Sequence, residues 1–534
     1  MNLFLLGSIV LIFVVINAFL AFLGYRGTRN ASDYLLAGRK AHPVIMALSY
    51  GATFISTAAI IGFGGAAAVY GMGILWLTFL NIFVGIFIAF VIFGKRTRKI
   101  GHNMDVHTFP EFIGKRFQSK FLHISSALLI FIAMPLYAGS VIIGGTQFIT
   151  ETLGINYDIA LMFFVSIVSV YVIMGGLKGV MYADAFQGVV MFLGMFILLI
   201  FTYSQFGGVT EAHSSLSGLK ERAVDIFGSS GHTGWTSMPR IGSVFWWQLV
   251  STITIGVGIG VLAQPQLIVR FMTVKSNREL NRAVLVGGVF ILMMVGVSFI
   301  VGALSNAYFE REVGKVSIEA VQNRTDNIIP MFINMAMPPW FTAIFMVTLL
   351  AAAMTTLCSQ FHAMGSAFGR DFVELGLGIK TKSSVLTTKV AMIITILAST
   401  FLAWGLPQFF EQGSAIVAIG TAIFFGLCAA TFLPLYVGAL FSKRITKTGA
   451  KACFISGLLT SSFWITFIHI RESQPLGLCN ALFGVDSLAS SPWLQNVDPI
   501  VVALPVSTIF TIVFSLLSKP PNDRHLKEVF NGVK

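Results

Sequence analysis

Two adjacent threonines, in the stretch LLAAAMTTLCSQFHAMG (349–365), offer the clearest chemistry in this chain. On a helix Ala352, Thr355 and Thr356 fall at i, i+3 and i+4 and share one face. Two hydroxyls beside a small residue present side-chain oxygens and leave a backbone carbonyl within reach. A hard cation such as sodium takes oxygen ligands of this kind. The competing reading is that each hydroxyl bonds back to the preceding turn. Asp184, about one turn into an apolar stretch that follows GGLKGVMY, is the second such residue. A carboxylate inside a membrane helix is costly and marks a functional site by default, although an interfacial Asp also caps helices. His362 reads as a proton relay or as a hydrogen-bonded core histidine.

Backbone chemistry adds to these side chains. LSYGATFISTAAIIGFGGAAAVYG (48–71) carries Gly51, Gly62, Gly64 and Gly65 among Thr53, Ser56 and Thr57. STITIGVGIGVLAQPQLIVRF (251–271) carries Gly256, Gly258 and Gly260 ahead of Gln264-Pro265-Gln266. Proline removes a backbone donor and clashes with the preceding turn, so a kink or opening is expected at Pro265. Within lipid, such interruptions belong where backbone faces a cavity or an ion. The glycines by themselves also suit close helix packing.

The elements that hold these residues are apolar helices. The 534 residues have a mean hydropathy of +0.84 and only 11% charged side chains, against about 25% in soluble domains. Thirteen spans are expected: 2–23, 44–69, 74–93, 122–146, 159–174, 183–204, 243–269, 284–304, 340–369, 385–404, 414–438, 452–469 and 499–517. Each is near the ~20 residues that cross a bilayer. With the amino terminus outside, 28 of the 35 Lys and Arg residues fall on the cytoplasmic side, which sets the orientation and puts the carboxyl terminus inside. The same asymmetry explains the net charge of +13 through anionic lipid, with no nucleic-acid partner. MNLFLLGSIVLIF lacks a positive leader and reads as a retained helix. The four cysteines are scattered singly and read as packing residues. The segments 205–242 and 305–339 are expected to carry short capping helices. No nucleophile–base pair or metal cluster of catalytic spacing is evident, so an enzyme is not expected.

The two interrupted spans each open a run of five, spans 2–6 and 7–11. An odd number of crossings turns the second run upside down. Paired interrupted helices opening two such halves point to a central transport site. The expected division is a first helix and loop (1–43), one five-helix repeat (44–204), an external loop (205–242), a second repeat (243–438) and two final helices with a tail (439–534).

Several motifs in order resemble the sodium/solute symporter family: ASDYLLAGRK (31–40), HTFPEFIGKRF (107–117), GGLKGVMYADAFQ (175–187), AQPQLIVRFMTVKS (263–276) and KRITKTGA (443–450). The resemblance covers roughly residues 1–470. It implies an all-α, polytopic inner-membrane protein with about thirteen helices, whose core is two inverted five-helix repeats, a LeuT-like fold. It implies a sodium site at the backbone oxygens of Ala52, Ile55 and Ala352 and the hydroxyls of Thr355 and Thr356. Asp184 then stands on the ion's inner route or at a second sodium site. The solute pocket falls among the second, fourth, seventh and eleventh spans, with Ser56, Thr57, Tyr137, Val257, Val261 and Gln264 as candidates. Val257 and Val261 stand where the family's proline carriers have Trp and Tyr, and Gln266 stands where they have His. Those departures argue against proline and favour a small carboxylate, which a helix amino end accommodates without a cation inside the membrane. The expected function is sodium-coupled import of a small organic solute by alternating access. A proton-coupled carrier using Asp184 or His362 is the second reading, and a transporter-like sensor the third.

Overall fold

A computed structural model describes residues 3–26, 36, 39, 41–174, 177–379, 384–409 and 416–533. Of the motifs above, most of 31–40 and Gly175–Gly176 lie outside the described residues. Among the described residues every regular element is helical, and the 10 helices long and apolar enough to cross a membrane are joined by shorter apolar helices at Leu6–Leu20, Pro43–Phe54 and Tyr157–Val170. The 46-residue stretch Ala58–Asn103 is divided at Gly71, whose φ of +74° ends the helix at Tyr70. A side chain there is excluded twice, by that dihedral and by the Trp235 carbonyl oxygen 2.3 Å from where a Cβ would sit. Counted this way, and with Pro43–Phe54 as the first half of the second span, the described residues hold thirteen spans.

Both expected interruptions are present, and one differs in its cause. The second span runs Pro43–Phe54, leaves helical geometry at Ile55 (φ −93°, ψ 110°), and resumes as the π-helical turn Ala58–Gly62 and the helix Phe63–Tyr70. The break falls at Ile55–Ser56, between the glycines. The glycines instead permit close packing: a Cβ on Gly65 would lie 2.4 Å from the Thr325 carbonyl oxygen, and one on Gly51 would lie 2.7 Å from the Phe290 ring. In the seventh span the break is where proline chemistry demands it. Gln264 is extended (φ −75°, ψ 114°) and Pro265 opens the short helix Pro265–Phe271, where its missing N–H costs nothing.

Several helices run past the lengths hydropathy suggested, such as Lys120–Leu153 and Asn277–Val313. The long connections carry the expected short helices, Val209–Gly218, Lys220–Phe227, Ser317–Ala320 and Ile328–Ala336. The ninth span, Pro339–Gly376, is almost wholly buried and packs on the second, fourth and sixth spans. Only a span enclosed by protein rather than lipid can carry Thr355, Thr356, Ser359 and His362 together. On the face that carries the C-terminal tail, here the tail face, the short helix Asp523–Val529 docks against the connection between the third and fourth spans. Asn103 donates to the carbonyls of Val529 and Asn531, and Leu526 and Val529 are buried.

Close approach of the second and eighth spans gives a direct test of this packing. A Cβ on Gly302 would lie 2.0 Å from the Gly64 carbonyl oxygen, whereas one on Gly288 of the same span meets nothing within 4 Å. Gly302→Ala is therefore expected to destabilise the protein by about 1–3 kcal/mol through overpacking. Gly288→Ala should be neutral or slightly stabilising. Thermal unfolding of both variants in detergent separates the two outcomes.

Candidate functional site

The break in the second span strips the end of its first half of in-helix donors, because four residues further on the chain is no longer helical. Those carbonyls turn to the ninth span. Thr355 Oγ1 donates to the Ala52 carbonyl at 2.8 Å and lies 3.1 Å from that of Ala352. Thr356 Oγ1 donates to the Thr53 carbonyl at 3.0 Å, with the Ile55 carbonyl at 3.4 Å. Both threonines are fully buried. The five expected ligands thus fall in two neighbouring groups between the two helices, Thr355 with the carbonyls of Ala52 and Ala352 and Thr356 with that of Ile55. The Thr53 carbonyl joins them, and sequence reasoning did not include it. Each hydroxyl can rotate its proton away and offer a lone pair, so the cluster suits a hard monovalent cation.

Asp184 is brought to the tail-face side of this cluster, from the sixth span. Its carboxylate accepts from Ser49 Oγ at 2.7 Å and pairs with Arg270 at 3.1 Å, with both charged side chains at 1% exposure or less. The guanidinium also meets the hydroxyls of Ser49, Thr53 and Ser359. Arg270 was assigned from hydropathy to a loop, and a cation inside the protein was not expected. The signal was present in the short helix that Pro265 starts, which carries the chain inward for two more turns. His362 lines a small cavity of about 30 Å³ with Gln266, Arg270 and Ser359, bounded on the tail face by His107 and Pro110.

The solute candidates occupy the far side of the same break, and all six are buried. Ser56 lies near Tyr137, and Thr57 Oγ1 donates to the Val141 carbonyl at 2.6 Å, so the second and fourth spans meet here. Gln264 donates to the Gly260 carbonyl at 3.2 Å and contacts Cys428. Val261 packs with Phe54 beside Gly85. Val257 ends the π-helical segment Gln248–Val257. Aromatic rings reach these residues from the eleventh span rather than the seventh: Phe424 and Phe425 stand 5.9 Å and 5.3 Å from the Tyr137 ring. These two phenylalanines were not among the candidates. Their alternation with small residues in GTAIFFGLCAA (420–430) was the available cue.

Below the cavity a charged cluster ties three elements together. Glu111 of the short helix Phe109–Arg116 is bridged by Lys115 at 2.9 Å and by Arg370, at the end of the ninth span, at 2.8 Å. His123, at the start of the fourth span, meets Asp371 at 3.1 Å. Burial alone would push the Glu111 carboxyl up, but hydrogen bonds from His107, Arg370 and Lys115 and the Arg370 charge together hold it well below the usual carboxylate range.

Broken helices paired across a buried oxygen cluster, within a bundle of membrane spans, define a secondary transporter with a LeuT-like fold. A family model described as the sodium:solute symporter family matches residues 34–457, and the chain belongs to that family. Among its relatives, a sodium/proline symporter of Staphylococcus aureus is 28% identical over 521 residues, which is 96% of this chain and 92% of the relative. A Na+-coupled sialic acid symporter, solved in a substrate-bound outward-open state, superposes with a TM-score of 0.71 at 16% identity, over 97% of this chain and 98% of that one. Mhp1, a nucleobase-cation-symport-1 family transporter in a closed conformation, gives a TM-score of 0.53 at 15% identity over 94% and 99% of the two chains. Family membership supports sodium-coupled symport of a small solute and points away from an enzyme.

Because its carboxyl is held low, Glu111 contributes stability that is present above about pH 4.5, its unshifted value, and is lost as pH falls through the folded-state value. Glu111→Gln is expected to cost roughly 2 kcal/mol near neutrality, as charge-assisted hydrogen bonds are lost. The difference from the unsubstituted protein should shrink as pH drops below 4.5. Unfolding midpoints measured across pH 3.5–7 check both the size and the sign.

Proposed function

We propose that this protein imports a small carboxylate together with sodium, by alternating access. The observation that carries the reading is the convergence of Thr355 and Thr356 on the carbonyls of Ala52, Thr53 and Ile55. A cation seated there joins the second span to the ninth. It stabilises whichever state brings the two closest, and a ligand shifts a conformational equilibrium only through such differential binding. In this reading the two repeats, 44–204 and 243–438, rock against one another. The amino terminus lies outside, and the tail face is cytoplasmic in the cell membrane. Each positive charge entering gains about 2.3 kcal/mol per 100 mV of membrane potential.

The solute sits among Ser56, Thr57, Tyr137, Val257, Val261 and Gln264. A carboxylate rests on the departures from the proline carriers at Val257, Val261 and Gln266, since the amides of Ala58, Ala59 and Ile60 that open the second half of the second span are already bonded to Ser56. The name of the Staphylococcus aureus relatives supports proline as a second reading. Valines at 257 and 261, and aromatic rings brought instead by Phe424 and Phe425, favour a different pocket shape.

Uptake of labelled acetate, lactate, pyruvate and proline into proteoliposomes, with sodium or pH gradients imposed separately, tests the proposal. A carboxylate should accumulate only with an inward sodium gradient. Uptake driven by a pH gradient alone would establish proton coupling instead. Thr356→Ala should raise the sodium half-saturation at least tenfold, about 1.4 kcal/mol, while Thr356→Ser retains it. An unchanged sodium dependence in Thr356→Ala would remove the site assignment.

A further inference from the structure

The last two spans lie outside the two repeats, but the hairpin they form buries three ionisable side chains. Asp498, His469 and Glu472 are 5%, 1% and 4% exposed, at the ends of Lys447–Phe467 and Pro499–Leu516 that lie opposite the tail face. His469 pairs with Glu472. Asp498 caps the thirteenth span, its carboxylate accepting from the Ile500 amide at 3.0 Å, and His469 and Glu472 both lie near it. Arg471, half-buried on the short helix Ile470–Leu476, is the other charge close to His469. This cluster grips both spans that border the solute candidates. The Asp498 amide donates to Ser251 Oγ at 3.1 Å, and Gln248 Nε2 donates to Asn496 Oδ1 at 2.9 Å, so the seventh span is held at two points. Gln248 Oε1 in turn accepts from Tyr70 at 2.7 Å, at the end of the second span. Asp498 Oδ1 lies 3.4 Å from where a Cβ on Gly426 would sit and 3.9 Å from one on Gly256, so the carboxylate stands against the glycine faces of the eleventh and seventh spans. Gly256 precedes Val257, and Gly426 follows Phe425. The facing segments 248–257 and 416–430 hold no charged residue, so no countercharge comes from that side.

We propose that Asp498 is a proton-sensitive positioning residue, which holds the first half of the seventh span against the last hairpin when protonated and releases it when ionised. A neutral carboxyl keeps its place between two glycine-bearing helices at little cost. A carboxylate there forgoes the water it would gain if the seventh span moved away. Burial accordingly raises the Asp498 carboxyl to about 6, against the pull of the His469 charge. A group whose value is raised in the packed arrangement favours that arrangement in acid, and the contribution is lost as pH rises through the raised value. Acid therefore fixes the seventh span, and a pH above about 6 frees it to move. The inference rests on alternating access, but not on which ion or solute is carried.

The four native cysteines are buried, so nitroxides can be attached at Ile241→Cys, just before the seventh span, and at Leu482→Cys, on the helix Leu478–Phe483 of the hairpin; both positions are exposed. Electron–electron distances in the purified full-length protein are then measured at pH 5.5 and pH 7.5. One narrow distance is expected at pH 5.5, with a second, longer one growing in at pH 7.5. The ratio of the second to the first should rise about fourfold, the change given by a carboxyl that titrates at about 6 when packed and near its ordinary value when hydrated. Asp498→Asn keeps the shape of the neutral carboxyl and should show the pH 5.5 distribution at both pH values. A distribution that does not change with pH in the otherwise unsubstituted protein, or a pH response that survives Asp498→Asn, would overturn the proposal. Should Asp498→Asn fail to fold, His469→Gln decides. Loss of the imidazolium should move the midpoint of the response to higher pH, and an unmoved midpoint overturns the proposal as well. These distances are independent of the uptake assays that test sodium coupling, so the two readings fail separately.

Discussion

The structure depends on a shortage of backbone donors. A helix that stops inside a membrane protein leaves carbonyl oxygens that neither water nor lipid can satisfy. At Phe54–Ile55 the shortage is met by two threonine hydroxyls from a neighbouring helix. That exchange fixes the distance and register between the second and ninth spans. Everything functional is built on either side of it: the solute candidates on the one, the Asp184–Arg270 pair and its cavity on the other. The same hydrogen bonds explain why the ninth span is enclosed by other helices rather than by lipid, since a polar helix face needs protein around it.

Much of this was legible in the chain. The thirteen spans follow from apolar length, and the opening at Gln264–Pro265 follows from what proline removes. The pairing of Ala352, Thr355 and Thr356 on one face follows from helical spacing. Their partners across the gap are backbone atoms, which carry no residue-type signal, so Ala52 and Ile55 came only through family resemblance and Thr53 was missed. The break at Ile55–Ser56 was also obscured. Glycines flank it, but they serve close approach to Phe290, Val417 and Thr325, and the dihedral that ends the helix belongs to a β-branched isoleucine.

Arg270 illustrates a different limit. Hydropathy assigns a charged residue at the end of an apolar run to water, and most of the time it belongs there. Here the helix restarted by Pro265 carries the side chain back into the protein, where Asp184 and three hydroxyls receive it. Only the tertiary arrangement tells a buried partner from a solvated one. Phe424 and Phe425 are a similar case: their sequence says aromatic and apolar, and only the tertiary structure shows that they pack against Tyr137.

The docked carboxyl-terminal helix has a consequence for how the protein is handled. His525 reaches the Arg116 carbonyl at 3.2 Å, and the Arg116 guanidinium lies 5.0 Å from the Phe530 ring. Arg116 in turn donates to the carbonyls of Ala439 and Ser442 at the end of the eleventh span. The helix Asp523–Val529 and Phe530 are thus a clasp across two connections. A fluorophore placed on this helix would therefore report on relative motion of the two connections it holds together, while a bulky group attached to it would pull on them.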